Sequence, residues 1–197
     1  MADALAQYSF VEVKAFLSDE EVQGLLKLIH HHQNEDNFHA AGVGRADEFA
    51  VNRNIRGDYI KWIDPQSVHP EAEKLVSRIE KLKSDLNRLL FLSMVDIECH
   101  FAVYPPGAFY EKHLDQFRGR NFRKLSFVIY LNPEWQPADG GELLLYRDSK
   151  ILSISPLAGK LVVFRSDEVE HEVALTNKPR YSITGWMLDR PLDWPIV

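Results

Sequence analysis

The sequence predicts an α+β fold in which helices come first and an antiparallel double layer of short strands follows. Three observations predict it. Two amphipathic helical patterns lie before Leu90, apolar residues alternate in short runs from Ile97 onward, and turn signals separate those runs. Such punctuation suits a closed or double-sheet antiparallel architecture, of which the jelly roll is one solution. With 197 residues and 45% hydrophobic content, the chain is expected to form one domain over 1–197 around a sizeable core. There is no internal repeat and no low-complexity linker.

The first helix is expected over about 19–32. Ser18 stands three residues ahead of Glu21, a capping-box spacing, and Val22, Leu25, Leu26 and Ile29 follow at helical intervals. His30, His31 and His32 close it; adjacent helical residues do not share a face, so the triplet reads as a solvated helix end. A polar stretch from Phe38 to Asn54 carries Gly42 and Gly44 and reads as a mobile flap before a strand over Ile55 to Trp62. Pro70 opens the second helix, which buries Leu75, Ile79, Leu82, Leu86 and Leu89 and reaches about Leu90.

Strands are then expected at Ile97–Tyr104, Leu125–Leu131, Glu142–Tyr146, Ile151–Ile154, Lys160–Phe164, His171–Leu175 and Tyr181–Leu188. The turns between them are marked by Pro105-Pro-Gly, Asn132-Pro, Asp139-Gly-Gly, Asp148-Ser and Pro156-Leu-Ala-Gly.

Composition narrows the function. A net charge of −6 argues against a nucleic-acid partner, which would need a basic face to displace counterions from phosphate. A single cysteine, Cys99, rules out an intrachain disulfide and fits a reducing compartment. The start shows no secretory signal, and no apolar run approaches the roughly 20 residues that span a bilayer. A soluble cytoplasmic protein without a membrane partner is expected.

The chemistry lies in His113-Leu-Asp115, followed by His171 and Arg180. In an extended strand, residues i and i+2 point the same way about 7 Å apart, so His113 and Asp115 can face one ion. His171 stands at a strand entrance after Asp167-Glu-Val-Glu170. Two imidazoles and one carboxylate leave half of an octahedral sphere open, which suits a non-haem Fe(II) that must also bind a cosubstrate and O2. Arg180 can hold a carboxylate through two parallel charge-assisted bonds, with Thr184 adding a hydroxyl donor. Taken singly, Arg180 also reads as a surface cation and Asp115 as the partner of a neighbouring base.

These motifs together resemble the Fe(II)/2-oxoglutarate-dependent prolyl hydroxylases, in the group that includes the hydroxylases of hypoxia-inducible factor and their bacterial relatives. The resemblance spans Ile55 to Leu188 and rests on Ile55-Arg-Gly-Asp-Tyr-Ile-Lys-Trp62, Tyr104-Pro, His113-x-Asp115, Ile129-Tyr-Leu-Asn132, Gly140-Gly-x-Leu143, His171 and Arg180-Tyr-x-Ile-Thr-x-Trp186. It implies a double-stranded β-helix of the jelly-roll type with supporting N-terminal helices. It also implies His113, Asp115 and His171 as iron ligands, and Arg180 with Tyr130 on the distal carboxylate of 2-oxoglutarate. Tyr104, Leu143, Thr184 and Trp186 would line the pocket. Asp58, Trp62 and Arg123 would stand on the substrate side, with Asp58 and Arg123 expected as an ion pair at the peptide entrance.

The implied cofactors are Fe(II), 2-oxoglutarate and O2, with ascorbate as reductant; the implied partner is a protein carrying a target proline, a translation elongation factor among the candidates. Action on large partners makes a monomer the expectation. Arg118, Arg120, Arg123 and Lys124 cluster beside Asp115 and read either as a steering patch for an acidic protein surface or as a solvated loop. Two other functions stay open: an oxygenase acting on a free amino acid or a non-prolyl side chain, and a catalytically silent metal- or peptide-binding module.

Overall fold

The computed structural model describes residues 1–42, 52–67, 69–116, 122–147 and 149–189. Three helices precede the long strands. The first, α1 (Ala2–Tyr8), and the strand after it, β1 (Phe10–Val13), were not expected from periodicity: seven and four residues are too short to establish one. Helix α2 (Asp19–Asn34) begins at the expected capping box, with Ser18 and Glu21 each satisfying the other's backbone N–H, and runs two residues past the expected end. Glu21 also binds Arg78 of α3 (Pro70–Leu90), which ties the two helices together. His69 caps α3 and Pro70 occupies its first turn. Among the described residues, no helix is long and apolar enough to cross a membrane.

The remaining strands are β2 (His39–Ala40), β3 (Tyr59–Trp62), β4 (Asp96–Tyr104), β5 (Tyr110–His113), β6 (Arg123–Tyr130), β7 (Leu143–Arg147), β8 (Lys150–Ile154), β9 (Leu161–Arg165), β10 (Glu170–Val173) and β11 (Arg180–Leu188). They form two antiparallel sheets, a major one in the order β1-β9-β6-β11-β4-β3-β2 and a minor one in the order β5-β10-β7-β8. From β4 onward the chain passes repeatedly between the sheets, which is the double-stranded β-helix that the motifs imply.

Alternation along the strands creates two cores. Cys99, Phe101, Val103, Phe127, Ile129, Ile183 and Met187 face the helices and pack with Leu25, Ile29, Ile79 and Leu86. Tyr104, Val128, Tyr130, Val162 and Phe164 face the minor sheet and meet Leu143, Leu145, Ile154 and Val173. Successive strand residues point to opposite sides, so each long strand serves both cores.

The strand expected over Ile55–Trp62 is divided. Arg56 bridges to Tyr110 of the minor sheet, whereas Tyr59–Trp62 pairs with β4 of the major sheet. Gly57 lies at the crossing, where a Cβ would come within 3.0 Å of Ala108. The segment therefore spans the mouth between the sheets, a path that alternation alone does not encode. Of the Phe38–Asn54 loop expected as a flap, residues 43–51 lie outside the described residues, as do 117–121 of the cationic loop.

Candidate metal centre

The register of the two sheets brings the histidines together. His171 on β10 pairs directly with His113 on β5, and their ring centroids are 4.2 Å apart. Asp115 lies beyond the end of β5, not on it as the i, i+2 reading supposed. It turns inward over the major sheet, where Ser126 Oγ of β6 donates to its Oδ2 at 2.7 Å. Ser126 in turn shares a 2.8 Å hydrogen bond with Ser166. The minor sheet thus supplies the imidazoles, and the carboxylate, from the segment after β5, is oriented by the major sheet.

The three side chains converge. Asp115 Oδ1 is 3.6 Å from His113 Nε2, its Oδ2 is 3.5 Å from His171 Nε2, and one ligand atom from each residue lies within 4.8 Å of the others. Each imidazole uses Nδ1 on a backbone carbonyl, His113 on Glu111 at 2.7 Å and His171 on Val169 at 3.2 Å. A carbonyl only accepts, so Nδ1 carries the proton and Nε2 presents a lone pair. Burial lowers the His171 pKa to about 4 against the pull of Asp115, which keeps the ring neutral near pH 7. Burial alone would raise the Asp115 carboxyl; His171, His113 and Arg123 outweigh it and hold the group well below the usual carboxylate range. Two neutral nitrogen donors and one anionic oxygen fit a divalent ion with open positions, as Fe(II) requires.

Below the triad, the inner face of the major sheet carries a second feature. Arg180 is 1% exposed, its Nε donates to the Gly141 carbonyl at 2.8 Å and its Nη1 to Ser182 Oγ at 3.3 Å. Gly141 makes this close approach possible: its φ is +68°, and a Cβ there would sit 3.0 Å from the Arg180 side chain. The guanidinium lies 5.0 Å from the Tyr104 ring centroid and 5.2 Å from that of Tyr130. No carboxylate pairs with Arg180 among the described residues, although it is a buried cation. The Tyr130 hydroxyl is buried and without a hydrogen-bond partner among them, and burial pushes its pKa up to about 12, so it stays protonated. A buried cation beside an unpartnered phenol fits a ligand carboxylate. Leu143 lies on the opposing sheet, and Thr184 and Trp186 continue the Arg180 face of β11 toward Ser126. The residues expected around the cosubstrate therefore lie on the facing sides of the two sheets, Leu143 on the minor one and the others on the major one.

The substrate-side residues are arranged differently from the expectation. Asp58 and Arg123 do not pair. Asp58 is 1% exposed and accepts from Arg56 at 2.6 and 2.7 Å, while Arg123 binds Glu98 at 2.7 Å and lies 3.6 Å over the Trp186 ring. Each is already held by a nearer partner, Asp58 by Arg56 on its own segment and Arg123 by Glu98 across the sheet. Cross-strand register decides this and cannot be read from the sequence. Arg56, kept charged by Asp58 despite burial, stacks 4.2 Å over Tyr110, whose ring lies 3.8 Å from that of His113. Trp62 forms an aromatic triangle with His100 and Trp186.

Sequence reasoning passed over Arg56, Glu98, His100, Tyr110, Ser126 and Gly141. The available signal was alternation: Glu98 and His100 share strand parity with Tyr104, and Ser126 shares it with Tyr130.

Comparison with known proteins agrees with this geometry. The family model of the 2OG-Fe(II) oxygenase superfamily matches residues 99–188. A prolyl-4-hydroxylase structure from Pseudomonas putida is 39% identical, with a TM-score of 0.87 over 96% of this chain and 97% of the other. A Trichoplax adhaerens prolyl hydroxylase, solved with a hypoxia-inducible-factor peptide, is 32% identical with a TM-score of 0.85, over 95% of this chain and 87% of the other. Prolyl 3-hydroxylase OGFOD1 of Xenopus laevis is 34% identical over 132 residues, 58% of this chain; the chain spans only 25% of that relative's length.

Proposed function

The chain belongs to the 2OG-Fe(II) oxygenase superfamily, among its prolyl hydroxylases, and on that premise we propose that it hydroxylates a prolyl residue of a protein substrate using Fe(II), 2-oxoglutarate and O2. The observation that carries the reading is the coexistence, between the two sheets, of the His113–Asp115–His171 triad and the buried Arg180, which has no carboxylate partner among the described residues.

When bound, iron and 2-oxoglutarate supply the oxidising power that turns O2 into a C–H hydroxylating agent, with succinate and CO2 as coproducts. The chain's own residues do the rest. His113, Asp115 and His171 would hold the metal, three donors that would leave room for cosubstrate and O2. Arg180 and the Tyr130 hydroxyl would hold the distal carboxylate of 2-oxoglutarate, with Thr184 on the same face of β11. Thr184 and Trp186 wall the metal end and keep bulk water out. Arg56, oriented by Asp58 and stacked on Tyr110, stands at the mouth beside His113 and is the group placed to meet an incoming peptide.

We assign the hydroxylation to C4. The Pseudomonas putida prolyl-4-hydroxylase matches nearly the whole chain at 39% identity, whereas the prolyl 3-hydroxylase match covers 58% of it. A translation elongation factor is the proposed protein target, on the resemblance of the motifs to the bacterial members of the group. The test is incubation of the iron-loaded protein with 2-oxoglutarate, ascorbate and cell lysate, followed by mass spectrometry for prolines gaining one oxygen. Oxygen on a non-prolyl residue, or succinate formed only with free amino acids, overturns the proposal. Amino-acid analysis separating 3- from 4-hydroxyproline tests the position.

A further inference from the structure

Glu98 lies on the inner face of β4, 7% exposed, two strand positions before His100. It accepts from Arg123 Nε at 2.8 Å and Nη2 at 2.7 Å. The same guanidinium reaches the backbone carbonyl of Asp115 with Nη1 at 3.4 Å and lies flat over Trp186 at 3.6 Å. Arg123 is therefore wedged between the carboxylate ligand's main chain and the wall of the metal-side cavity. Its side chain is only 20% exposed, so its charge is weakly screened there.

That placement creates an electrostatic problem. A cation against the backbone of a metal ligand repels a divalent ion bound to that ligand. Only one ligand of the triad is anionic, so the site has little negative charge to spare. Arg56 is already paired with Asp58, and Arg180 faces the far end of the cavity. Glu98 is the carboxylate that pairs with Arg123.

We propose that Glu98 is a positioning residue for the metal centre: it neutralises Arg123, so that the guanidinium can brace Asp115 and Trp186 without lowering the affinity of the triad for a divalent cation. The inference rests on the triad being the metal site. It separates two functions of one arginine, a geometric one that needs its hydrogen bonds and an electrostatic one that needs its charge cancelled. A residue serving only to pack the sheet would have no reason to be charged, because a buried ion pair is no better for stability than well-packed apolar side chains.

The test is Mn(II) titration of the full-length protein, followed by the electron paramagnetic resonance signal of free Mn(II). Four proteins are compared: wild type, Glu98→Gln, Glu98→Gln/Arg123→Gln, and His171→Ala. Thermal melts check that each is folded. Glu98→Gln keeps shape and removes the charge, and is expected to weaken Mn(II) about tenfold, the order given by one unpaired charge at short range in a partly buried site. The double variant removes both charges and is expected to recover to within about threefold of wild type, a non-additivity that a purely structural role does not produce. Glu98→Gln binding Mn(II) as wild type does, or a double variant no better than Glu98→Gln, overturns the proposal while leaving the triad in place. Wild-type binding that survives His171→Ala overturns both.

Discussion

The two faces of the major sheet are built from the same strands and behave as different materials. On the helix side, Phe101, Phe127, Ile129, Ile183 and Met187 are at most 2% exposed and wholly apolar. One residue along each strand, the other side carries Glu98, His100, Ser126, Arg180 and Ser182, all buried as well. Burying a large apolar side chain contributes about 1.5–3 kcal/mol, whereas a buried polar group left unpaired costs about 1–3 kcal/mol. The first face therefore generates stability. The second uses it to hold side chains that water would otherwise solvate, and this division predicts that substitutions on the two faces fail in different ways.

The largest separation is expected between Phe127→Ala and His171→Ala. The first opens a void in the helix-side core and should lower unfolding free energy by about 3–5 kcal/mol, with the folded fraction retaining its kcat and KM. The second removes a ligand and should reduce succinate formation by roughly a thousandfold or more, about 4 kcal/mol of barrier, while the urea midpoint moves little. If His171→Ala instead unfolds the protein and leaves turnover of the folded fraction intact, the division of labour is wrong.

Arg180→Leu sharpens the comparison within the site face. With the cation gone, the KM for 2-oxoglutarate should rise about a hundredfold, the order of a desolvated charge pair worth roughly 3 kcal/mol. Metal affinity measured without cosubstrate should not change. Equal losses of metal and 2-oxoglutarate binding would mean that anchor and metal centre are not separable.

How much of this was legible follows from what each signal encodes. His113, Asp115 and His171 were legible because ligand chemistry restricts residue type, and folding brings the three together. Of the strands from β4 to β11 all but β5 were legible, because alternation is local; β6 and β11 lie within two residues of their expected limits, whereas the four residues of β5 are too few to establish a pattern. What escaped depends on register. Arg123 reaches Glu98 across β6, β11 and β4, twenty-five residues apart in sequence, and nothing near Arg123 distinguishes Glu98 from Asp58 as its partner. Asp115 was placed on a strand because two residues of spacing suffice for that reading, yet the chain leaves the sheet at His113 and Ser126 of the other sheet orients the carboxylate.

His100 gives a pH-dependent form of the comparison. Burial first, then the charges of Arg56 and Arg123, push its pKa down to about 3 despite the opposing Asp115; His39 adds to the lowering. The folded imidazole therefore stays neutral while the unfolded one protonates near 6.5. Above that value neither state binds the proton and stability is complete. As pH falls from 6.5 toward 3, the unfolded state gains a proton that the fold refuses, and stability is lost by about 2 kcal/mol at pH 5. Urea unfolding at pH 7 and pH 5 should show this drop in the wild type and a correspondingly smaller drop in His100→Leu. An identical drop in both would place the sensitivity elsewhere.

The smallest expected effect isolates one hydrogen bond. Ser126 is fully buried and donates to Asp115 Oδ2 at 2.7 Å, so it orients the carboxylate without touching the metal position itself. Ser126→Ala leaves Asp115 charged and close to both imidazoles but frees it to rotate, and Ser166 loses its partner in the same change. Removing such an orienting partner should weaken Mn(II) binding about tenfold. On the helix side of the same strand, Leu125→Val removes one buried methylene and should cost about 1 kcal/mol of stability with no change in metal affinity. The two substitutions are adjacent in sequence and comparable in energy, so measuring both observables on both variants tests whether strand parity alone decides between stability and function. Ser126→Ala that leaves the Mn(II) dissociation constant unchanged would show that the two histidines fix the carboxylate unaided.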